Sequence, residues 1–213
     1  PLHSEYAIKM LERGYHVQSE KPMSLTEDEC RKMIEARDRS GKQLMIGQCL
    51  RFFRQYEFLK ACIDDGRYGK PTAAQFDRLG GPPRWGWNNW YMKPELSGGV
   101  IYDLHIHDCD MIRWLFGEPK SFSAVAAATF VKHDTVFVQY HYENLPVSAV
   151  AEWSLKGVKF HAAYRVGFEK ASVIYDENGK DVTDQFTNVT TVDGELTVTP
   201  KPVTVTLTGH VGE

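Results

Sequence analysis

Between residues 3 and 47 the hydrophobic period switches from helical to extended twice over, and this alternation restricts the fold more than any other feature of the chain. "HSEYAIKMLERG" spaces Tyr6, Ile8, Met10 and Leu11 as a helix that stops at Gly14, and "YHVQSEKP" reads as a short strand turning at Pro22. "SLTEDECRKMIEARDRSG" offers Ser24 or Thr26 as an N-cap, places acids in its first turn and ends on Arg39, Ser40 and Gly41; "KQLMIGQCLRF" follows as a second strand. Two strands interleaved with helices predict an α/β start, the end of a doubly wound parallel sheet. A further helix, "RQYEFLKACIDDG", leads into the strand "KPTAAQFDRLG". After residue 120, "SFSAVAAATF", "TVFVQYHYE", "VSAVAEWSL", "FHAAYRVGFEKASVIYD" and "ELTVTPKPVTVTL" alternate or are β-branched between turns. This second part predicts a large, mostly antiparallel sheet packed with helices. The boundary is placed near Gly47, giving units 1–47 and 48–213, with neither internal repeats nor low-complexity segments.

Composition narrows the function class. A formal net charge of −3 supplies no basic field for nucleic acid or an anionic membrane. No apolar run reaches the roughly 18 residues that span a bilayer, and no leader pattern is present. Cys30, Cys49, Cys62 and Cys109 lack CxxC spacing and read as reduced, buried thiols of a cytoplasmic protein.

The stretch "SGGVIYDLHIHDCDMIRWLFG", residues 97–117, concentrates the chemistry. At about 100° per residue, Asp103, His107, Asp110 and Trp114 share one sector of a helix, opposite Ile101, Leu104, Met111, Ile112, Leu115 and Phe116. Asp103 and His107 stand four apart, where a carboxylate can hold one imidazole nitrogen and leave the other as a general base. Gly98 and Gly99 would let backbone approach a ligand. A plain solvated face is the competing reading. So is a metal site, because "DLHIH" looks like the HxH strand of metal-dependent amidohydrolases. A helix sends His105 and His107 about 200° apart, however, and no further histidine-rich strand ends complete a ligand set, so no metal is expected.

"HVQSEKP" then places Glu20, Lys21 and Pro22 at the end of a predicted strand, where open α/β sheets bind ligands and where an ammonium can stabilise a developing alkoxide. The ordered set "GYHVQSEKP", "LMIGQCLRF" and "GGVIYDLHIHDCDMIRWLFGEP" resembles the Gfo/Idh/MocA family of nicotinamide-dependent sugar and polyol oxidoreductases over roughly residues 1–120. The resemblance implies a Rossmann-type remnant followed by a substrate and oligomerisation domain. It implies that Lys21 is the lysine of the EKP motif, touching substrate oxygen and nicotinamide, with Glu20 and Pro22 beside the cofactor, NAD or NADP. It further implies His107 as proton acceptor, Asp103 as its orienter, Asp110 as a recurrent acid, and a cis peptide before Pro22.

The pattern departs from the family in one respect: no G-x-G-x-x-G follows a strand, and no acid stands where it would hold an adenosine ribose. The expectation is therefore a chain truncated at both ends, inactive alone, with "TLTGHVGE" as the lead-in to a closing helix. Between the two motifs, "RLGGPPRWGWNNWYMKPELSGG" could line a sugar pocket through Trp85, Trp87, Trp90 and Tyr91, with Arg84, Asn88 and Asn89 meeting hydroxyls, or could pin its own loop. Arg51 is either a pocket residue or a salt-bridge anchor. Val136, Val138, Tyr140, Val150 and Trp153 form a candidate face for a homo-oligomer, a dimer or tetramer.

The reading is an NAD(P)-dependent dehydrogenase of a polyol or sugar; the alternatives are a non-catalytic sugar-binding or regulatory relative and a metal-dependent HxH enzyme. Nicotinamide cofactors are held mainly through their pyrophosphate at a helix N-terminus. Without that turn, this chain should bind NAD and NADP more weakly than roughly 10 μM, about −7 kcal/mol. Calorimetric titration measures this, and tighter binding would reveal a phosphate site absent from the sequence pattern.

Overall fold

A computed structural model describes residues 2–176 and, beyond them, the backbone of four short strands. The first unit is α1 (His3–Glu12), β1 (Val17–Glu20), α2 (Glu27–Ser40) and β2 (Leu44–Gly47). Strands β1 and β2 pair in parallel, Val17 opposite Leu44 through Glu20 opposite Gly47. Thr26 is the N-cap of α2, its hydroxyl accepting from the Glu29 amide at 3.3 Å, and Gly41 ends the helix in the left-handed region at φ 66°. The Lys21–Pro22 peptide is cis.

A 3₁₀ turn (Cys49–Phe52) leads into α3 (Arg54–Asp65) and β3 (Pro71–Leu79); then come a second 3₁₀ turn (Trp87–Met92), α4 (Pro94–Ser97), a π-helical turn (Ile101–His105) and α5 (Ile106–Phe116). The chain continues through β4 (Ser121–Ala127), β5 (Thr135–His141), β6 (Pro146–Glu152), β7 (His161–Phe168) and β8 (Ser172–Asp176). The short strands β9 (Val189–Thr190), β10 (Thr197–Val198), β11 (Val205–Thr206) and β12 (Gly209–Gly212) follow. An eight-stranded sheet runs β4-β5-β6-β3-β7-β8-β12-β9. Only β3 and β6 pair in parallel within it. Of "ELTVTPKPVTVTL", only β10 and β11 are described, paired antiparallel. In "TLTGHVGE", expected to lead into a closing helix, the described residues Thr206 and Gly209–Gly212 are strand.

Helices α3 and α5 cover one sheet face. Their Tyr56, Leu59, Cys62, Met111, Ile112 and Leu115 meet Phe76, Val138, Ala149, Tyr164 and Val166, forming the core. Val136, Val138, Tyr140 and Trp153, expected on the outer, self-associating face, lie in that core. The alternation was read correctly, but a strand's period does not say which row faces inward. The open face instead presents the cross-strand row Val125, Phe137 and Val150, with Val125 and Phe137 exposed. The thiols also differ from expectation: Cys62 is buried but Cys49 is exposed.

Inner-row alternation along β3 runs Ala74, Phe76 and then Arg78, a cation in a hydrocarbon layer. Its guanidinium donates to both oxygens of Asp108 on α5, at 2.7 and 3.0 Å, and to the Tyr56 hydroxyl on α3 at 3.2 Å. The side chains of Arg78 and Asp108 are 5% and 0% exposed. Burial works against the Arg78 charge, but the field of Asp108, that of Tyr56 and the hydrogen bonds to both together outweigh it, leaving its pKa above the ordinary value. Removing one partner strands the other in the core. Asp108→Asn or Arg78→Met should therefore lower stability by roughly 3–5 kcal/mol, with a smaller combined loss in Arg78→Met/Asp108→Leu. Urea denaturation of the three variants measures this coupling.

Candidate active site

The carboxyl end of β1 and the start of the long helix meet at one ion pair. Lys21 Nζ donates to Asp103 Oδ1 at 2.8 Å and to the Asp103 carbonyl oxygen at 2.7 Å, joining residues 82 apart in sequence. Both side chains are largely buried, at 17% and 19% exposure. The accepting carbonyl belongs to the π-helical turn, whose i→i+5 pattern disturbs the regular ladder. From the other side, the His3 Nδ1–H donates to the Pro22 carbonyl at 2.7 Å, tying α1 to the turn that carries Lys21.

These groups line a cavity of about 300 Å³ whose walls are His3, Glu20, Lys21, Pro22, Ser24 and Leu25 on one side and Trp90, Tyr91, Leu96, Ser97, Tyr102 and Asp103 on the other. Trp90 and Tyr91 are stacked, with centroids 4.0 Å apart and planes 29° from parallel. Burial, with the Asp103 carboxylate beside it, raises the Tyr91 pKa. Ser97 fastens this aromatic wall to the helix start: its hydroxyl donates to the Tyr91 carbonyl at 2.8 Å and accepts from the Gly99 amide at 3.0 Å.

His107 does not line this cavity. No hydrogen bond or ion pair joins it to Asp103, whose carboxylate is committed to Lys21, so the structure does not show the expected carboxylate–imidazole pairing. Its Nδ1 is buried without a partner. Desolvation, reinforced by the positive charges of Lys21 and Arg78, pushes its pKa down to about 3, so the ring is neutral at pH 7. His105 turns elsewhere: it is buried, its Nε2 pairs with the Tyr140 hydroxyl at 2.8 Å, and burial lowers its pKa.

The remaining expected residues divide. Trp85 packs on Tyr91, centroids 4.6 Å apart, but is itself 77% exposed, and Trp87 is 81% exposed; neither lines the cavity. Arg84, Asn88 and Asn89 are exposed as well, and both asparagines adopt left-handed backbone, φ 50° and 52°. Arg51 is an anchor: it donates to both oxygens of Asp110 at 2.7 and 2.8 Å and lies over the Trp114 ring. The glycine pair serves packing within the chain. A Cβ on Gly98 would stand 2.6 Å from the Tyr102 ring, and one on Gly99 would stand 3.0 Å from the His133 carbonyl. Sequence reasoning missed Asp108, Arg78 and Tyr56, and the only signal was an arginine on the apolar row of β3.

Comparison with known proteins places this geometry. Residues 56–174 match the GFO/IDH/MocA C-terminal domain, and residues 1–48 match the NAD-binding Rossmann fold of the same oxidoreductase family. The chain belongs to the GFO/IDH/MocA oxidoreductases. It is 30% identical to the 1,5-anhydro-D-fructose reductase of Ensifer adhaerens, an alignment covering 100% of this chain and 60% of that protein. It is 35% identical to the myo-inositol 2-dehydrogenase of Thermotoga maritima over 54% of this chain and 33% of that one. The WlbA dehydrogenase of Bordetella pertussis, solved with NADH and UDP-GlcNAcA, superposes with a TM-score of 0.75 at 24% identity, over 82% of this chain and 52% of its own. The chain thus spans between a third and three fifths of the length of these relatives. Family membership, together with the His105–Tyr140 bond, sets aside the metal-dependent HxH reading. Among the described residues no helix is long and apolar enough to cross a membrane.

The depressed His107 pKa has a signed consequence. Between about 3 and the ordinary 6.5 the unfolded chain binds a proton that the folded ring refuses, so this residue's contribution to stability is lost as pH falls through that window. Proton NMR of the His107 ring should show no titration above pH 4, and Lys21→Met, by removing a neighbouring cation, should move its midpoint upward.

Proposed function

We infer that these residues form the proton-handling and substrate-facing part of a nicotinamide-dependent dehydrogenase acting on a polyol, a sugar or a sugar derivative. The observation that carries this reading is Lys21, donating two bonds to Asp103 in the wall of a cavity, with an uncharged imidazole within reach of its field. A sugar-binding relative without turnover would need neither the fixed ammonium nor the neutral ring.

The residues present fit one end of the cofactor. Glu20, Lys21 and Pro22 would hold the nicotinamide, and Gly47 keeps the ground beside them clear: a Cβ there would stand 3.4 Å from the Ser19 carbonyl and 3.6 Å from the Glu20 carboxylate. When bound, the cofactor supplies hydride exchange at a carbon of the substrate. The protein's part is electrostatics and position. Lys21 stabilises the oxygen as it gains negative charge, and Asp103 holds Lys21 in place for that task. His107, outside the cavity lining but only partly buried and within the field of Lys21, would accept the hydroxyl proton from a substrate that reaches past Lys21. Burial, with the charges of Lys21 and Arg78, holds its pKa near 3 and makes it a poor base at rest, and the negative charge growing on the substrate oxygen raises it during the step. The stacked Trp90–Tyr91 wall would cover the apolar face of a ring, with Ser97 and Tyr102 near its hydroxyls. Self-association, if the domain uses its sheet, falls to the open face bearing Val125, Phe137 and Val150.

The test uses this chain fused behind a glycine-rich nicotinamide-binding half, followed by nicotinamide absorbance with a panel of polyols. His107→Ala should reduce turnover roughly 10²- to 10⁴-fold. Lys21→Met should lose rate with little change in thermal midpoint, and His105→Ala should do far less than either. Turnover undiminished in His107→Ala would remove it from the proton path.

A further inference from the structure

The segment between β4 and β5 has no role in the chemistry above, yet it touches both walls on which that chemistry depends. Asp134, at its end, is fully buried. Its carboxylate accepts from the backbone amides of Thr129, Phe130 and Val131, at 3.0 and 3.1 Å for the first and last, folding the segment back on itself. Anionic acceptors of several N–H groups make the stronger class of hydrogen bond, so the curl is fixed by one side chain. His133, just before it, adopts left-handed backbone at φ 58° and aims its carbonyl at the amide of Val100, 3.2 Å away. Val100 is the residue on which the π turn opens. The same carbonyl is the atom that a Cβ on Gly99 would meet. On the other side, the Asp134 carbonyl accepts from the Trp153 amide at 2.7 Å, and the buried Trp153 ring stands edge-on to Tyr91, 6.3 Å between centroids.

We propose that Asp134 is a positioning residue for the active site. Through His133 it fixes where the helix carrying Asp103 and His107 begins, and through Trp153 it sets the Trp90–Tyr91 wall. That the positioned groups bind polyol rests on the function inferred above; that they are positioned by Asp134 does not.

The experiment keeps the two apart. Amide hydrogen exchange is measured on the 213-residue chain and on Asp134→Ala, Asp134→Asn and, as a control of lowered global stability, Val173→Ala. Loss of Asp134 should reduce protection at Val100 and at residues 129–131 by roughly 10-fold or more while Val166, in the centre of the sheet, keeps its protection. Val173→Ala should lower all of these together. Should Asp134→Ala fail to fold, Asp134→Asn decides, because it preserves the shape and turns one acceptor into a donor facing the Thr129 amide. If Val100 loses protection only in step with Val166, Asp134 is a general stabiliser and the proposal is overturned. In parallel, saturation-transfer NMR with myo-inositol reads the cavity. Binding by the parent chain that weakens several-fold in Asp134→Asn but not in Val173→Ala supports the assignment. If the parent chain does not bind myo-inositol, that counts against the inferred substrate class, and exchange at Val100 still decides the role of Asp134.

Discussion

The buried pair of Arg78 and Asp108 is the constraint on which the rest of the molecule depends. A cation on the inner row of β3 can stay in the hydrocarbon layer only if a carboxylate comes to it with good geometry, and the carboxylate available is one residue beyond His107. Meeting this requirement fixes the rotation and height of α5 over the sheet. Tyr56, taking a third bond, ties α3 into the same arrangement. A hydrophobic contact in this position would allow the helix to slide. Two bonds to a planar guanidinium do not, so the pair aligns the helix whatever it adds to net stability.

The second joint, Lys21 with Asp103, is of another kind. It links the parallel α/β unit to the antiparallel one through side chains that retain some contact with solvent, and it leaves Lys21 facing a cavity. One ion pair thus secures the helix to its own sheet while the other holds the Lys21 ammonium against that helix. Within the field of both cations sits an imidazole that burial, reinforced by their charges, keeps uncharged.

The sequence made some of this legible and hid the rest, for definable reasons. Element types followed from hydrophobic period, since Tyr6, Leu11, Met111 and Leu115 mark helices and the alternation through Val136, Val138 and Tyr140 marks a strand. Which side of the strand faced inward did not follow, because alternation is symmetric until a covering element is known. The EKP lysine and the acid and histidine of the long helix were recognisable as motifs. The partner that Asp103 chose was not, because an i, i+4 rule assumes an unbroken α-helix and the π turn is a backbone event that composition does not mark. Trp85 and Trp87 invited a sugar-pocket reading by their density, yet two consecutive asparagines in left-handed backbone turn that part of the loop outward. Arg78 was the one residue whose chemistry contradicted its place in a pattern, and it marked the most important contact.

The π turn also separates what mutation can separate. An α-helix with one residue too many in a single turn carries a reversible insertion, and a chain lacking one position between Asp103 and Ile106 could close the ladder into ordinary helix. Everything from Ile106 onward, including Asp108 and its grip on Arg78, would keep its register. The segment ahead of it would swing by about 100°, taking Asp103 away from Lys21. Such a deletion would leave a well-folded domain with its ammonium unmoored, so descent within this fold could lose the Lys21–Asp103 joint in one step without passing through an unstable protein.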